Sequence, residues 1–415
     1  MKSRAILVTA LLVTACSGGT SSQNTQTTTT TTTTTTKAAD DDSLPKNSPL
    51  EPDIKNVPAT TGHANLTESK PPFTVTTIGD FDEPFAMAFL PDGRLLVTEK
   101  AGHLQMRATD GSVKEVAFAP AVAKVNQGGL LDVALAPDFA TSHAIYLTYS
   151  EPGDAGSALA LMRATLRESN SGLALVDKNV IWRSGSNGPG GQFGANIQFS
   201  PDGKYLFLTS GERQRFTPAQ DPKQALGKIL RLTLDGKAAP GNPMYDKGGV
   251  EAMTWSSGHR NPYGQAIAAD GRHWEVEMGP KGGDELNVIL PGKNYGWPIV
   301  SNGDNYSGQP IPDHPSRPDL EAPKLWWNPS ISPGGIIIYT GGMFPQYKGN
   351  LFICALSGEA LIRVKLDGDK ATALDQWDMG TRMRDIAQAP DGSIWVLEDG
   401  EKGSGGHLMR LTPKS

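Results

Sequence analysis

The stretch QFSPDGKYLFLTS, Gln198 to Ser210, joins an apolar run to a tight turn and then to a strand-like alternation of apolar residues. In its Pro-Asp-Gly turn, proline pre-sets the backbone, the aspartate side chain caps the turn, and glycine supplies the positive φ. A turn of this kind between short apolar runs is typical of paired β-strands. The stretch therefore predicts two strands joined by a short connection.

The same pattern occurs six times along the chain. The other five copies are Ala88–Glu99, Ala134–Ser150, Ala266–Glu277, Met343–Leu356 and Ala387–Asp399. Residues 71–415 divided by six give about 57 residues per copy, which is close to a four-stranded propeller blade with its loops. A β-sandwich is the alternative, but it would not repeat one turn signature six times. We therefore predict an all-β protein, a six-bladed β-propeller with four-stranded antiparallel blades.

The N-terminus has the features of a secretion signal. A charged start is followed by the short apolar run Ala5–Ala15 and then by Cys16. This order predicts a signal peptide over residues 1–15 rather than a membrane span. Val13-Thr14-Ala15-Cys16 resembles a bacterial lipobox, which implies cleavage before Cys16 and lipid on that cysteine. An ordinary signal peptide with an incidental cysteine is the alternative.

Residues 16–70 are rich in Ser, Thr, Asn, Pro and Asp and include ten consecutive threonines, Thr27–Thr36. Such a segment carries too little apolar surface to offset its ordering entropy, which predicts a disordered tether between the lipid and the folded residues 71–415. The lipid anchor is then the only predicted contact with the membrane. Because Ser17 is not the aspartate of an inner-membrane retention signal, we expect the protein in the bacterial cell envelope, on the periplasmic side, at the outer membrane.

Charge and cysteine content argue against a nucleic-acid partner and against an internal disulfide. The net charge is −6 and no basic stripe is present, which argues against a nucleic-acid partner. The second cysteine, Cys354, lies in the apolar run Leu351–Leu356 and cannot form an internal disulfide alone. We interpret it as a small core residue.

A glycine-rich stretch, Glu275–Pro298, is the most specific motif. Gly279-Pro280 and the following glycines place bare backbone carbonyls beside Asp284 and Glu285. Carbonyl and carboxylate oxygens on irregular backbone are the ligands that Ca²⁺ prefers. A long turn capped by Asp284 is the alternative.

Arginines occur in two further motifs. In Ser256–Ala268, Arg260 precedes a predicted strand, and its five-donor fork suits a planar anionic ligand. Its neighbour Asn261 could equally initiate a turn, because Asn-Pro favours one. Arg382 and Arg384 are two residues apart, so on a strand they share one face, turned either to a polyanion or to solvent.

Gln127 precedes two glycines and a predicted buried strand in the stretch Asn126–Phe139. It is either an amide of a binding pocket or a turn residue. The residues alone leave both readings open.

Together these four stretches resemble the soluble quinoprotein glucose/sorbosone dehydrogenases, which are sugar dehydrogenases dependent on pyrroloquinoline quinone (PQQ). The resemblance covers residues 72–411 and rests on four motifs in order. They are Gln-Gly-Gly-Leu-Leu from Gln127, Gly-His-Arg-Asn-Pro from Gly258, Gly-Pro-x-x-x-Asp-Glu-x-Asn from Gly279, and Arg-x-Arg-Asp from Arg382.

The resemblance implies a six-bladed propeller that oxidises an aldose or related sugar at C1 by hydride transfer to PQQ. One Ca²⁺ on the cofactor raises its hydride affinity, and a periplasmic acceptor takes the electrons. The implied calcium ligands are the carbonyls of Gly279 and Pro280. The implied cofactor-binding residues are Gln127, Arg260, Asn261, Arg382 and Arg384.

Four positions depart from the family pattern. Gln192 stands where the family has a general-base histidine, and a neutral amide can hold a hydroxyl but cannot accept its proton. The family has an arginine at Asn196, often a cofactor-binding lysine near Ser357, and commonly a polar residue at Met278. Another residue or a water would then serve as base, and His103 and His143 stay candidates.

Two other functions compete with sugar oxidation. The first is a catalytically weak or inactive propeller that binds a sugar or partner at the cell surface, and it rests on Gln192, Asn196 and Ser357. The second is a lactonase with a central metal, which needs inward carboxylates from several blades, whereas only Asp284 and Glu285 cluster. The retained motifs favour the oxidoreductase.

Overall fold

The structure, a computed structural model, describes residues 66–185 and 187–414. The predicted signal peptide, Cys16 and most of the tether lie outside these residues. In the part of the chain that the structure describes, no helix is both long and apolar enough to cross a membrane.

Short strands make up most of the described chain. The strands are β1 Phe73–Asp80, β2 Pro84–Phe89, β3 Leu95–Glu99, β4 His103–Arg107, β5 Val113–Glu115, β6 Leu130–Leu135, β7 Ala144–Gly153, β8 Gly156–Ser169, β9 Gly172–Arg183, β10 Gly194–Phe199, β11 Tyr205–Ser210, β12 Lys228–Thr233, β13 Thr254–Ser257, β14 Pro262–Ile267, β15 His273–Glu277, β16 Lys281–Gly282, β17 Asp284–Val288, β18 Gly303–Asp304, β19 Leu325–Trp327, β20 Pro333–Ile338, β21 Leu351–Ala355, β22 Ala360–Asp367, β23 Lys370–Asp378, β24 Met383–Gln388, β25 Ile394–Glu398 and β26 His407–Pro413. The helices are α1 Phe139–Ser142 and α2 Gly249–Met253, with 3₁₀ turns at Thr217–Gln220, Tyr245–Lys247, His314–Ser316 and Pro345–Tyr347.

The strands form six antiparallel four-stranded sheets, which confirms the predicted propeller. Blades 1 to 3 are β2–β5, β6–β9 and β10–β13; blade 4 is β14-β15-β17-β19; blade 5 is β20–β23; and blade 6 is β24-β25-β26-β1. The innermost strands β2, β6, β10, β14, β20 and β24 each pack against their neighbours around a closed ring. A separate two-stranded sheet, formed by β16 and β18, lies outside the blades.

Each repeated turn joins the first and second strands of one blade. In blade 3 the turn between β10 and β11 has Gly203 at φ +68°, and the Asp202 carboxylate accepts hydrogen bonds from the Ser200 hydroxyl (2.7 Å) and the Lys204 amide (3.2 Å). The turn chemistry expected from the sequence is therefore present in the structure.

The ring closes through its two chain ends. Strand β1 pairs with β26 over Phe73↔Pro413 to Asp80↔His407, so blade 6 contains both ends of the propeller. The Phe73 ring is 4% exposed and lies 5.1 Å from the Trp377 ring of blade 5. Ser69, which falls within the predicted tether, already exchanges backbone hydrogen bonds with β23.

Apolar side chains pack between neighbouring sheets. Between blades 4 and 5, for example, Trp274, Trp327 and Ile353 are fully buried in one cluster. Cys354 is buried in the next cluster, as expected for a small core residue. This packing holds each inner strand at a fixed place around the channel.

Every inner strand begins with a β-bulge. In all six blades the register between the first and second strands shifts within the first few residues of the inner strand. Bulges re-aim side chains and are common beside active sites. The six bulges therefore mark one end of the channel, and the residues that precede them converge there.

We predict that Phe73→Ala lowers the free energy of unfolding by about 3–5 kcal/mol, because it removes a buried ring from the seam between blades 5 and 6. The matched control is Val75→Ala on the same strand, since Val75 is 39% exposed. The control should change stability by less than about 0.5 kcal/mol. Denaturant unfolding of both variants measures the difference, and equal losses would contradict this account of the closure.

Candidate active site

A cavity of about 650 Å³ opens at the bulged end of the channel. Loops before the inner strands and loops after the second strands of the blades together supply most of its wall. Its lining includes Gln127, Gln192, Asn261, Gly279, Pro280, Ser332 and Ser357, together with the charged residues described next.

Positive charge dominates this cavity. Two acidic side chains line it, Asp304 and Glu401. Six basic side chains line it: Lys100, Arg260, Lys281, Arg382, Arg384 and Lys402. Because a concave, partly dry site focuses the field of such groups, the cavity favours an anionic ligand.

Arg382 and Arg384 share one buried carboxylate. Nε of each arginine donates to Asp399, at 2.7 Å for Arg382 and 2.8 Å for Arg384. Asp399 is fully buried, and although burial acts to raise its pKa, the two guanidinium groups hold that pKa below the ordinary value. The two arginines therefore face one way, as their spacing predicts, and are fixed from behind.

Arg384 also donates through Nη1 to the Tyr263 hydroxyl at 2.5 Å, which links blade 6 to blade 4. Burial alone would lower the pKa of Arg384, but Tyr263 and Asp399 raise it above its ordinary value. This guanidinium stays charged at any physiological pH.

Arg260 lines the cavity from the loop before blade 4. Its Nη1 donates to the carbonyls of Gly279 (2.7 Å) and Met278 (3.2 Å), and its guanidinium lies 5.2 Å from the Trp297 ring centroid. The side chain is 6% exposed, and its Nε has no described hydrogen-bond partner. A buried donor without a partner costs free energy, so a ligand that accepts from this group would stabilise the site.

A buried carboxylate positions the Arg260 loop. Glu277 accepts from the Arg260 amide (2.7 Å) and lies 2.9 Å from His259 Nδ1. Glu275 is fully buried beside this pair, and burial followed by the charge of Glu277 raises the pKa of Glu275 well above its ordinary value. The side chains of His259, Glu275 and Glu277 are also close enough for one cation to contact all three.

Gln192 is held between opposite charges. With its amide oxygen turned to Arg260, that oxygen accepts from Nη2 at 2.8 Å and from Nη1 at 3.2 Å, while the amide nitrogen donates to Glu212. Glu212 is 1% exposed, and burial raises its pKa. Sequence patterns did not single out Glu212, which has no motif of its own.

The backbone at Gln192 is unusual, with φ +54°. The side-chain oxygen of Gln127 accepts from the backbone amide of Gln192 at 2.7 Å, so Gln127 supports this loop as well as lining the cavity. Arg213 donates to the carbonyls of Gly190 and Gly191, both at 2.9 Å, and stacks on the loop from below. These contacts preorganise the loop and hold the strained residue in place.

Asn261 is fully buried at the floor of the cavity. Its side-chain oxygen accepts from the Gly194 amide (3.0 Å), and its nitrogen lies 3.5 Å from the Met278 sulfur. Asn261 therefore joins the loops of blades 3 and 4 and lines the cavity at the same time.

The predicted calcium loop divides into two parts. Gly279 and Pro280 line the cavity, but Asp284 and Glu285 do not. The Asp284 carboxylate accepts from the amides of Gly279 and Ser332, among others, so it acts as the turn cap that the sequence left open. Glu285 points instead to His314 at 3.2 Å, and metal ligation by these four residues stays a prediction.

The other family departures fall in different places. Ser357 and Met278 line the cavity, whereas Asn196 lies below it and donates to Asp132 at 3.1 Å. None of the six described histidines lines the cavity: His103 and His143 belong to blades 1 and 2 away from it. The sequence candidates for a replacement histidine base therefore do not meet the site.

Several cavity residues lie outside the sequence motifs. Lys100 of blade 1 is 2% exposed and forms an ion pair with Glu401 of blade 6. Tyr306 is 56% exposed and lies 5.9 Å from the Arg260 guanidinium. Their positions depend on which blades the ring brings together, and a single sequence carries no signal for that.

Comparison with known proteins shows the family of this chain. The family model for glucose/sorbosone dehydrogenase matches residues 81–410, nearly the whole propeller. The chain belongs to this family.

Relatives and solved structures agree with that membership. Aldose sugar dehydrogenase YliI of Escherichia coli is 39% identical over 344 residues, which are 80% of this chain and 91% of that protein. A crystal structure of a glucose dehydrogenase superposes with a TM-score of 0.77 and 40% identity, covering 82% of this chain and all of the other. The PQQ-bound aldose sugar dehydrogenase of Streptomyces coelicolor superposes with a TM-score of 0.66 and 28% identity, covering 83% and 99%. Family membership therefore supports an oxidoreductase that acts on sugars.

Asn196 stands where the resemblance implies an arginine, and this bears on the protonation of Asp132. Burial raises the pKa of Asp132 to about 8, and Asn196 supplies a hydrogen bond but no positive charge. An unfolded aspartate titrates near 3.9, so between these values the folded state binds a proton that the unfolded state does not. The free energy of unfolding should therefore fall as the pH rises toward 8.

We predict that Asp132→Asn weakens this pH dependence. Between about pH 5 and 8 the wild type should lose up to about 1.4 kcal/mol of stability per pH unit more than the variant. Urea unfolding at several pH values measures the difference. Parallel stability profiles would show that Asp132 does not take up a proton on folding.

Proposed function

We propose that this glucose/sorbosone dehydrogenase family member uses PQQ to oxidise an aldose or related sugar at C1. The observation that carries the proposal is the convergence of basic side chains from blades 1, 4 and 6 on one cavity. PQQ is a planar tricarboxylate, and arginine forks match carboxylates in both charge and geometry.

The residues of the cavity fit this cofactor. Arg260, in the loop before blade 4, has a buried Nε without a described partner, and Arg382 and Arg384 line the same cavity from blade 6. These three guanidinium groups would hold the carboxylates and carbonyls of PQQ, with Gln127 and Asn261 beside them. When bound, PQQ supplies a quinone that accepts a hydride.

We propose that Ca²⁺ accompanies the cofactor, at the carbonyls of Gly279 and Pro280. Both residues line the cavity, which supports this assignment. Because the Gly279 carbonyl accepts a hydrogen bond from Arg260, the arginine would shift that hydrogen bond toward the cofactor when a cation binds. Asp284 would shape the loop rather than bind the ion, because its oxygens are already occupied by protein donors.

The first test combines cofactor binding with turnover. We expect purified protein to bind PQQ in the presence of Ca²⁺, giving the absorbance of bound quinone, and then to reduce an electron-accepting dye when an aldose is added. Arg260→Gln should raise the Kd for PQQ by about 10- to 100-fold, because a charge-assisted hydrogen bond contributes about 1.5–3 kcal/mol. The matched control is Arg94→Gln, a surface arginine paired with Asp92.

Each outcome of this test decides between functions. Absence of PQQ binding by the wild type would overturn the proposal. Tight binding without dye reduction would favour the alternative, a propeller that keeps its cofactor site but acts by binding a sugar or partner. An equal change of the Kd for PQQ in the two arginine variants would show that Arg260 does not bind the cofactor.

We further propose that the enzyme is a lipoprotein of the bacterial envelope. Cys16 would carry the lipid, residues 17–65 would give reach, and the propeller would face the periplasm, where a separate acceptor takes the electrons. The support is the order of charged, apolar and small residues before Cys16 in the sequence. Stable anchoring needs more than one acyl chain, which a lipidated N-terminal cysteine provides.

We predict that Cys16→Ser releases the protein from membranes. In a bacterial host, wild-type protein should sediment with the outer-membrane fraction and incorporate labelled palmitate, and the variant should do neither. Labelled but soluble wild-type protein would contradict anchoring, and unlabelled protein would contradict lipidation.

A further inference from the structure

A sugar dehydrogenase needs a group that accepts the hydroxyl proton, and the cavity holds an amide where its family has a histidine. Both ends of the Gln192 amide are engaged, by Arg260 and by Glu212. Glu212 is 1% exposed and is not part of the cavity lining. Neither residue is therefore placed to take a proton from a bound sugar.

The described residues that line the cavity include two carboxylates, and they differ in their surroundings. Glu401 forms an ion pair with Lys100. Among the described residues, no hydrogen bond or ion pair engages the Asp304 carboxylate, and Asp304 is only partly buried. The unpaired Asp304 carboxylate can accept a proton directly, whereas Glu401 would first have to break its ion pair with Lys100.

Asp304 lines the same cavity as Arg260. It belongs to the two-stranded sheet β16–β18, where its backbone pairs with that of Lys281, and Lys281 comes two residues after Gly279. Two residues after Asp304, the Tyr306 ring lies 5.9 Å from the Arg260 guanidinium. Arg260 also contacts Gln192, so a sugar bound beside Arg260 would be within the same cavity as the Gln192 amide and the Asp304 carboxylate.

We infer that Asp304 is the general base of this enzyme, in place of the histidine that Gln192 replaces. The inference rests on the proposed function. In the step, the Asp304 carboxylate would accept the proton of the C1 hydroxyl as the C1–O bond becomes a carbonyl, and the bound quinone would supply the acceptor for the C1 hydride. The Asp304 proton then passes to water, and the external acceptor removes the two electrons.

The variant that tests this is Asp304→Asn, which keeps the size of the side chain and removes its basicity. We expect its affinity for PQQ and Ca²⁺ to stay within about twofold of the wild type, and its kcat with aldoses to fall by about 10²- to 10⁴-fold. Asp110→Asn, on an exposed turn of blade 1, is the control for a lost carboxylate. It should leave both quantities unchanged.

A double variant tests whether the kcat is lost because a proton acceptor is lost. Gln192→His places an imidazole beside Glu212 at the position that the family uses. In the Asp304→Asn background it should restore at least tenfold of the lost kcat, because the hydroxyl again has a proton acceptor. A merely structural role for Asp304 would not be rescued by a proton acceptor at position 192.

Binding of an iminosugar gives a readout that does not depend on turnover. 1-Deoxynojirimycin is a sugar analogue with a protonated ring nitrogen, which should pair with a carboxylate near C1. Calorimetry on the PQQ- and Ca²⁺-loaded proteins should show at least tenfold weaker binding to Asp304→Asn than to the wild type. The Asp110→Asn control should bind it as the wild type does.

Three results would overturn the inference. They are a kcat of Asp304→Asn within threefold of the wild type, equal iminosugar affinity in the two proteins, and loss of PQQ binding in the variant alone, which would make Asp304 a cofactor or cation ligand. Failure of the wild type to bind PQQ would instead remove the proposed function itself, so the two failures are distinguishable.

Discussion

Buried carboxylates that hold arginines at the channel mouth are the interaction on which the site depends. Asp399 is fully buried and pairs with both Arg382 and Arg384, while Glu277 fixes the backbone of Arg260 from below. Several guanidinium groups in one cavity repel each other and would turn to solvent if nothing restrained them. The carboxylates neutralise part of that repulsion and aim the remaining donors into the cavity. The positive wall is thus a property of the packed propeller rather than of flexible side chains.

Ring closure makes this arrangement possible, because the charged residues come from blades that are distant in sequence. Arg260 belongs to the loop before blade 4 and Arg384 to blade 6, yet Tyr263 of blade 4 accepts a hydrogen bond from Arg384. Pairing of β1 with β26 closes the last blade and fixes the distance between these elements. The bulges at the start of the inner strands then turn the preceding loops inward, toward one ligand. Fold stability and the geometry of the site are consequently coupled through the same seam.

Much of this architecture could be predicted from the sequence, since each blade repeats one turn between its first two strands. The motifs also singled out Arg260, Arg382 and Arg384, which the resemblance groups as cofactor-binding residues and which line one cavity in the structure. Other features could not be predicted, for physical reasons. The ion pair of Lys100 with Glu401 joins blades 1 and 6 and has no local pattern, and Glu212 is recognisable only from its contact with Gln192. Asp284 shows a further limit: the sequence leaves open whether this carboxylate binds a metal or caps the turn, and only the structure shows the backbone amides that donate to it.

The central claim is that guanidinium groups from two separate blades, Arg260 at blade 4 and Arg382 and Arg384 at blade 6, bind one planar tricarboxylate. A crystal structure of the protein soaked with PQQ and Ca²⁺ tests this most directly, because it locates each carboxylate of the ligand. The account predicts PQQ density in the cavity, with its carboxylates within hydrogen-bond distance of Arg260 on one side and of Arg382 and Arg384 on the other. Density outside this cavity, or a ligand whose carboxylates face away from these arginines, would contradict it.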